Sequence, residues 1–412
     1  MQSYLNEAYL WYPELKRVSV TSTTDVSKYF YSVLTDAPDR FGKPKDRFSF
    51  IVPVATADAI STGANVGYGM EWKDDASGAK RVAMVTPNSP AAQAGMARGG
   101  ALVKITTATN NSWYPNDPNA TVTFSYRDTP SSPVREITLK AAPIQDDPVP
   151  TTRMLDAGGR KVGYLLFTDH SKLAQDKLID AVSSMRANGI NDLVLDLRYN
   201  GGGYLYVAMS MASMIAGPSA EGKVFERLQF NDKRSAETAQ STFPFVTKVL
   251  VADSARHPEG EPLPMLSLPR VYVLTTSSSC SASESIINAL QGIDVQVVTI
   301  GAATCGKPYG FARKDNCGMA LYPIEFQGTN AKGFGDYANG LPATCSVADD
   351  FSRPLGDPAE RMLAAALQHI QTGACPATTG LGTERVRSAP VEVPGPQLAD
   401  KPSAGRLLMP AY

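Results

Sequence analysis

A serine-rich turn between a strand and a helix is the part of this sequence best suited to chemistry. The apolar, β-branched run at residues 271–275 predicts a buried strand, and apolar residues at helical spacing over 286–293 predict a helix. Ser281 stands between them, where the unpaired N–H groups of a helix N-terminus stabilise negative charge. The oxyanion of an acyl-transfer intermediate needs such donors, so Ser281 is a candidate nucleophile.

The same turn also has an interpretation without chemistry. Ser281 is followed three residues later by Glu284, which is the spacing of a capping box. A serine cap of this kind stabilises a helix by about 1 kcal/mol and does nothing else. The turn alone therefore leaves a nucleophile and a plain cap both open.

Three further features follow other predicted strands of the same region. Lys307 lies in a Gly-Lys-Pro turn after a strand at 295–300, and a triple glycine at 201–203 follows an apolar strand at 192–197. His170 ends another predicted strand and is an alternative base. Each has a plainer interpretation, because such a lysine is often a solvated charge and such glycines often form only a tight turn.

Composition excludes several classes of function. The 412 residues are enough for two or three domains. Lys plus Arg (39) nearly balances Asp plus Glu (40), which argues against a nucleic-acid partner. No apolar run approaches the roughly 20 residues of a membrane span. The first residues lack the pattern of a signal peptide, and we expect a periplasmic or otherwise exported protein whose signal sequence has been removed, with a lipid anchor on its precursor as one option.

The cysteines predict disulfides rather than a metal site. None of the five forms a Cys-x-x-Cys pair and the three histidines are scattered, so we expect no metal and no cofactor. Proximity favours the pairs Cys305–Cys317 and Cys345–Cys375 and leaves Cys280 as the free thiol. Such pairs would indicate an oxidising compartment.

The chain divides into four predicted parts. Residues 1–50 predict a helical segment that docks on a neighbouring domain, with Asp25 capping its second helix. Residues 51–142 predict a mostly β domain with one short helix, 143–375 an α/β domain whose last helix is capped at Asp357-Pro358, and 376–412 an extended tail.

Residues 51–142 resemble a PDZ domain. The Ser-Pro-Ala-x-x-Ala-Gly pattern at 89–95 carries the resemblance, with Ser89 capping the short helix, and Arg98 departs from the usual Gly-Asp. The resemblance implies that a peptide pairs with the strand after a loop whose N–H groups bind its C-terminal carboxylate; that loop comprises Gly67, Tyr68, Gly69 and Met70. The plainer alternative is a β domain that only spaces its neighbours.

Three ordered motifs extend the resemblance to a protease family. They are Asp-Leu-Arg-x-Asn-x-Gly-Gly at 196–203, Ser-Ala-Ser-Glu at 281–284 and Thr-x-Gly-Lys at 304–307. Over residues 50–375 the sequence resembles the carboxyl-terminal processing (tail-specific) proteases, whose relatives include the tricorn protease core. The fold this implies is α/β (α+β multidomain), with a crotonase-like spiral of ββα units as the protease core and the PDZ domain upstream.

The resemblance implies a Ser–Lys dyad. Ser281 would be the nucleophile and Lys307 the general base, with an oxyanion hole formed by the N–H groups of Ala282 and Gly202. Asp196, Arg198 and Asn200 would anchor the glycine loop. Two departures concern Lys307: its spacing from the serine is one residue longer than usual, and Phe311 stands where the family often has an orienting glutamine, a role that Gln327 could fill.

We therefore expect a serine endopeptidase acting on proteins with accessible C-terminal tails. The alternative is a catalytically silent binding protein, a PDZ adaptor on a crotonase-like core that holds peptides or apolar ligands. A Lys307 Nζ within hydrogen-bond reach of Ser281 Oγ would favour the peptidase, whereas a solvated Lys307 and a Ser281 that only caps its helix would favour the binding protein. The apolar residues 407–412 suggest that the chain's own C-terminus occupies a PDZ groove.

Overall fold

The computed structural model describes residues 1–21, 24–377, 393–396 and 398, and it is a mixed α/β, multidomain structure. The helices are α1 (Gln2–Ala8), α2 (Val26–Val33), α3 (Val54–Ser61), α4 (Pro90–Gln93), α5 (Ala174–Ala187), α6 (Leu205–Ala216), α7 (Ser235–Gln240), α8 (Ala282–Gly292) and α9 (Arg361–Thr372). Short 3₁₀ segments lie at Tyr12–Glu14, Pro218–Ala220 and Asp232–Arg234.

The strands form five sheets in the described part of the chain. They are β1 (Phe50–Pro53), β2 (Ala64–Gly67), β3 (Met70–Asp74), β4 (Lys80–Val85), β5 (Ala101–Ala108), β6 (Thr121–Arg127), β7 (Arg135–Lys140), β8 (Ala142–Gln145), β9 (Thr151–Ala157), β10 (Arg160–Leu166), β11 (Asp192–Asp196), β12 (Val224–Phe230), β13 (Thr242–Pro244), β14 (Arg270–Thr275), β15 (Gln296–Gly301), β16 (Tyr309–Gly310), β17 (Lys314–Asn316), β18 (Met319–Tyr322), β19 (Phe326–Thr329) and β20 (Cys345–Ser346).

A six-stranded sheet of order β20-β15-β14-β11-β10-β9 forms the centre of the molecule. All its strands are parallel except the edge strand β9. Leu193 and Leu195 pack with α5, α6 and α8 on one face, while Val194 packs with α9 on the other. Because both faces are covered, the strands are continuously apolar, as the sequence of β11 indicated.

The carboxyl ends of four neighbouring strands, β10, β11, β14 and β15, lie at one edge of this sheet. The loops that follow them carry His170, the triple glycine, Ser281 and Lys307 in that order. Parallel topology therefore brings together residues that are far apart in sequence, at the edge where open α/β sheets commonly bind ligands.

A second, antiparallel sheet of order β3-β4-β5-β6-β7 contains most of the predicted β domain. Trp72, Trp113 and Phe124 form its aromatic core. Ser89 caps α4 as predicted, since its side chain accepts a hydrogen bond from Ala92 N at 3.2 Å. The expectation of one helix was wrong, because the alanine-containing residues Val54–Ser61 form α3. The β3 strand is at the edge of this sheet.

The N-terminal segment docks on the α/β domain, as expected. Asp25 caps α2 by accepting from Lys28 N at 2.8 Å. Phe30 and Val33 of α2 share a core with Leu321, and β1 pairs with β18. This segment thereby reaches the strands that follow the lysine loop.

Two predictions near the C-terminus have different outcomes. The last helix is capped by Glu360 rather than at Asp357-Pro358, because the Glu360 carboxylate accepts from Met362 N and Leu363 N. In the predicted tail, Pro394 O accepts from Ile105 N at 2.8 Å, so that short segment lies against β5. The hypothesis about residues 407–412 falls outside the described residues, and the domain boundaries stay predictions.

Candidate active site

Ser281 does not act as the plain helix cap that its sequence allowed. Its backbone has φ 61° and ψ −114°, a conformation that is costly for any residue other than glycine. Its side chain is fully buried, and its Oγ has no hydrogen-bond partner in the part of the chain that the structure describes. A buried hydroxyl without a partner is uncommon and calls for a functional explanation.

Glu284 joins the serine turn to the lysine loop. Its Oε2 accepts from the backbone N–H of Ser281 at 2.8 Å and from that of Lys307 at 2.9 Å. Its Oε1 accepts from Gly306 N at 2.9 Å and from the Thr304 hydroxyl. Complete burial raises the pKa of this carboxyl, while its four donors oppose the rise. Ser281 and Glu284 thus have the arrangement of a capping box, in which the hydrogen bond to Glu284 is formed and that to Ser281 Oγ lacks normal geometry, and the Glu284 carboxylate links two loops.

A disulfide between Cys280 and Cys305 makes the same connection covalently. The prediction that Cys280 is free and that Cys305 pairs with Cys317 was wrong: Cys317 is the free, exposed cysteine. The Cys345–Cys375 prediction is confirmed. Sequence proximity misled because Cys280 and Cys305 follow the adjacent parallel strands β14 and β15, whose ends meet.

Lys307 is buried, with 1% of its surface exposed, so the solvated interpretation of this lysine was wrong. Its Nζ lies 4.3 Å from the ring centroid of Phe311 and 5.3 Å from that of Phe48. Arg47 donates to Gly306 O at 3.2 Å, which fixes the loop from the N-terminal segment. The residue in place of the usual glutamine is therefore part of an aromatic wall. The Gln327 side chain donates to Gly335 O at 3.0 Å.

Sequence reasoning missed Phe48 and Arg47. Both lie in the N-terminal segment, which was predicted only to dock. No local motif marks them, since their position beside Lys307 depends on how that segment packs.

The glycine loop lies directly against the serine turn. A Cβ on Gly202, where φ is 98°, would come within 2.9 Å of Ser281 Cβ and 3.0 Å of Ala282 N, so this position requires glycine. The Gly202 N–H donates to Asn200 Oδ1 at 2.9 Å. The predicted oxyanion donor Gly202 is thus beside the nucleophile, but its N–H is already engaged. Ala282 is the first residue of α8, where helix N–H groups have no intrahelical partner.

Asn200 also determines the state of His170. Its Nδ2 donates to Phe167 O at 3.0 Å, so its Oδ1 faces His170 Nδ1 at 2.9 Å and that nitrogen must carry the proton. The other ring nitrogen, Nε2, is buried without a hydrogen-bond partner among the described residues. Burial lowers the pKa of His170 to about 3, so the ring is neutral near pH 7.

Arg198 anchors the glycine loop, which confirms the structural role predicted for it and for Asp196. The guanidinium is fully buried and bonds Asp196, Glu360 and Asp349. The free-energy cost of burying this charge is offset by the three carboxylates, which raise the pKa of Arg198 well above its ordinary value.

Arg98 joins the β domain to this network. It donates to Tyr199 Oη, to Asp349 and to Ala83 O, each at 2.8 Å. The residue that departs from the usual PDZ pattern thus connects the two parts of the molecule.

A cleft of about 340 Å³ runs between the β domain and the α/β domain. Residues of β3 line one end, and Gly201, Ser278, Cys280 and Cys305 line the other. The predicted peptide-binding residues are divided. Gly69 and Met70 line the cleft, whereas Gly67 and Tyr68 do not, and the Tyr68 side chain is buried in the β-domain core with its hydroxyl accepting from Asn110. Both cysteines of the disulfide line the cleft, and Ser281 does not.

Two groups of potential metal ligands occur in the described residues. They are Cys280, Glu284 and Cys305, and Cys345, His369 and Cys375. In both groups the two sulfurs are bonded to each other and cannot bind a metal as thiolates.

Comparison with known proteins agrees with this architecture. Residues 161–312 match the family described as peptidase family S41. The chain is 25% identical over 211 residues to a carboxyl-terminal-processing protease of Picosynechococcus sp., an alignment that covers 50% of this chain and 44% of the relative, less than half of its length.

Two solved structures share the fold. One, assigned to the S41 proteases, comes from Bacteroides fragilis; it has a TM-score of 0.65 at 22% identity over 90% of this chain and 96% of that one. The other is a photosystem II D1 C-terminal processing protease, with a TM-score of 0.50 at 18% identity over 85% of this chain and 92% of that one. At these identities the likeness concerns the fold.

Proposed function

Because residues 161–312 carry a peptidase S41 domain, which indicates a hydrolase of the serine peptidase class, we propose that this chain is a serine endopeptidase of the C-terminal processing type. Its substrates would be proteins with accessible C-terminal tails. No helix in the described ranges is long and apolar enough to cross a membrane. Export to an oxidising compartment is part of the proposal, and the two disulfides support it.

The observation that carries the proposal is the state of Ser281. Its hydroxyl is buried, has no hydrogen-bond partner among the described residues, and lies on a strained turn at the start of a helix. A serine that stabilised only the helix would use this oxygen to accept an N–H. The Lys307 side chain is buried on the loop that shares Glu284 with this turn, which supports the Ser–Lys dyad.

Hydrolysis would proceed through an acyl-enzyme. Lys307 Nζ takes the proton of Ser281 Oγ as this oxygen attacks the scissile carbonyl, and it gives that proton to the amine product as the C–N bond breaks, which leaves Lys307 neutral. Water then attacks the ester, with Lys307 again as base. A buried amine suits this role because removal from water favours its neutral form. Ser281 Oγ makes no hydrogen bond among the described residues, and in unliganded enzymes such catalytic hydrogen bonds often tighten only in the substrate complex.

The oxyanion would be bound at the start of α8. The Ala282 N–H is the first donor, and the Gly202 N–H becomes the second when its hydrogen bond to Asn200 is exchanged. Removing one such donor typically lowers the rate by about 10²- to 10³-fold.

Capture of a C-terminal tail by a PDZ-like β domain is the second part of the proposal. An edge strand such as β3 offers unpaired backbone groups to an extended peptide. Gly69 and Met70 at its start, and the cleft leading from it to Cys280, supply a path towards the serine. This arrangement supports delivery of a tail from the β domain to Ser281.

The decisive experiment is cleavage of an unfolded protein with an apolar C-terminus. We expect the wild type to cleave it, and Ser281→Ala and Lys307→Ala to lose nearly all activity. Lys332→Ala, a change at an exposed lysine, is the matched control and keeps full activity. An amidated substrate terminus tests the carboxylate site, since it should raise KM and leave kcat unchanged.

Other outcomes would redirect the proposal. If Lys307→Ala retained activity and His170→Gln did not, the base would be His170, whose unpaired Nε2 is the only observation in its favour. A wild type that bound the tail without cleaving it would support the silent binding protein. The buried Lys307 and uncapped Ser281 do not favour that alternative.

A further inference from the structure

We propose that the Cys280–Cys305 disulfide positions the reacting groups. It holds the proposed nucleophile and base at a fixed distance from each other, so that activity depends on whether the bond is oxidised or reduced. This inference rests on the proposed function. It concerns neither the dyad itself nor the peptide-binding surface.

The position of the disulfide is its first support. Cys280 immediately precedes Ser281, and Cys305 lies two residues before Lys307. Their Cα atoms are 5.2 Å apart, and Cys305 N donates to Ser279 O at 3.0 Å. One covalent bond therefore joins the strand-to-helix turn of the nucleophile to the loop of the base.

Backbone strain at Ser281 is the second support. A non-glycine residue with φ of 61° keeps that conformation only where its neighbours over-determine it. On the C-terminal side Glu284 holds the Ser281 N–H, and on the N-terminal side the disulfide holds Cys280. Opening the disulfide removes one of these two constraints and lets the turn relax from the reactive geometry.

Access is the third support. Both cysteines line the cleft, whereas Ser281 and Lys307 do not. A dithiol reductant can therefore reach the bond from the substrate side. In that step the dithiol gives two electrons and two protons to the Cys280–Cys305 bond and becomes a disulfide itself, leaving two thiols on the protein. An oxidant of the disulfide class reverses the step.

The second disulfide supplies a matched control. Cys345–Cys375 has a sequence separation of 30, against 25 for Cys280–Cys305, so both constrain the unfolded chain to a similar degree. It joins β20 to the end of α9, and neither of its cysteines lines the cleft. Loss of either bond should lower thermal stability alike, but only loss of the first should alter catalysis.

The test uses the full chain with Cys317→Ser, which removes the exposed thiol that would exchange with either disulfide. The variants Cys280→Ala/Cys305→Ala and Cys345→Ala/Cys375→Ala are compared for kcat, KM, melting temperature and rate of labelling by a fluorophosphonate. We expect kcat and labelling to fall about 10- to 100-fold in the first variant, with KM little changed, because displacements near 1 Å have effects of this size. The second variant should keep the parent rate.

Reversible reduction completes the test, because a purely structural bond would not produce a reversible change in rate. Dithiothreitol should lower kcat of the parent without changing its far-ultraviolet circular dichroism, and reoxidation should restore it, with thiols counted by alkylation. Equal rates in the two double variants, or a rate that rises on reduction, would overturn the proposal; the rise would mean that the disulfide is a lid over Ser281. If the oxidised parent cleaved nothing while folded, the proposed function itself would fail.

Discussion

The molecule has two junctions of different construction. At the first, between the serine turn and the lysine loop, a disulfide and three of the four hydrogen bonds of Glu284 connect segments that follow adjacent strands. At the second, between the β domain and the α/β domain, Arg98 makes side-chain contacts with Tyr199 and Asp349 across a cleft. The first junction joins the loops of the proposed nucleophile and base, and the second joins the β domain to the α/β domain.

The difference shows how rigidity and access can be combined. Ser281 and Lys307 are both buried, so a substrate reaches them only when something moves. The first junction requires more free energy to open, because a covalent bond joins its two sides. At the second junction, Arg98 can exchange one hydrogen-bond partner for another. We therefore expect movement at the Arg98 junction to expose the proposed catalytic pair, while the disulfide and Glu284 keep the serine turn and the lysine loop joined.

The largest effect should follow Glu284→Ala. Its removal leaves four buried donors without an acceptor, each costing about 1–3 kcal/mol, so the free energy of unfolding should fall by about 4 kcal/mol or more. Because the Ser281 and Lys307 backbones lose their shared acceptor, kcat should fall at least 100-fold as well. Urea unfolding and steady-state kinetics measure the two effects.

Glu325→Ala is the control for this variant. Glu325 is also a buried glutamate, but its carboxylate accepts from Tyr4 of the N-terminal segment and from Arg234 rather than from the serine turn or the lysine loop. It should lose comparable stability while the folded protein keeps its kcat. A Glu284 variant that lost stability but kept kcat would show that the carboxylate supports only the fold.

A smaller effect is expected from Arg98→Ala at the second junction. The Arg98 side chain is largely buried and donates to Tyr199 and Asp349, so its removal should lower the free energy of unfolding. The decrease should be about 3 kcal/mol, because Asp349 remains paired with Arg198. Hydrogen exchange should rise at residues 349–353, which Arg98 contacts. Labelling of the buried Ser281 by a fluorophosphonate should become faster, because the weakened junction opens more often.

Arg98→Lys sharpens this result. This variant keeps the charge but loses the planar guanidinium group that contacts several acceptors at once. Its stability and its hydrogen exchange should therefore lie between those of the wild type and those of Arg98→Ala. If Arg98→Ala slowed labelling as much as Glu284→Ala does, the two junctions would be one mechanical unit and the contrast between them would be wrong.

Some features of the two junctions could be predicted from the sequence and others could not. The strands, the Ser281 turn and the order of the loops follow from apolar periodicity, so their meeting at one sheet edge was predictable. The disulfide partner of Cys305 was not, because Cys317 is nearer to it along the chain than Cys280, which is 25 positions away and becomes a neighbour only in a parallel sheet. Phe48 was missed for the same reason, since packing of the N-terminal segment puts it beside Lys307.

Ambiguities in local motifs were resolved by burial. The sequence could not say whether Ser281 caps its helix or Lys307 faces water, because each motif suits both states. Side-chain exposure decides the question, and it depends on the whole set of loops that cover the sheet edge. Arg98 illustrates the same limit: it was visible as a departure from a pattern, but its partner Asp349 lies some 250 residues further along the chain.

The smallest effect concerns the histidine beside the glycine loop, and it appears only as a pH dependence. His170 has a pKa of about 3 in the folded protein and about 6.5 when unfolded. Between these values the unfolded chain binds a proton that the folded protein excludes. The free energy of unfolding should therefore fall as pH decreases below about 6.5, by up to about 1.4 kcal/mol per pH unit from this group.

His170→Gln removes this contribution and retains an amide that can donate to Asn200 Oδ1. Unfolding free energies measured from pH 6.5 to 4 should therefore decline less steeply in the variant than in the wild type, with the two curves differing in slope by about 1 kcal/mol per pH unit. Parallel curves would mean that the folded protein protonates His170, which requires its buried Nε2 to gain a partner. His170 would then accept a proton in the folded protein, and activities of the Lys307→Ala and His170→Gln variants would decide which residue is the base.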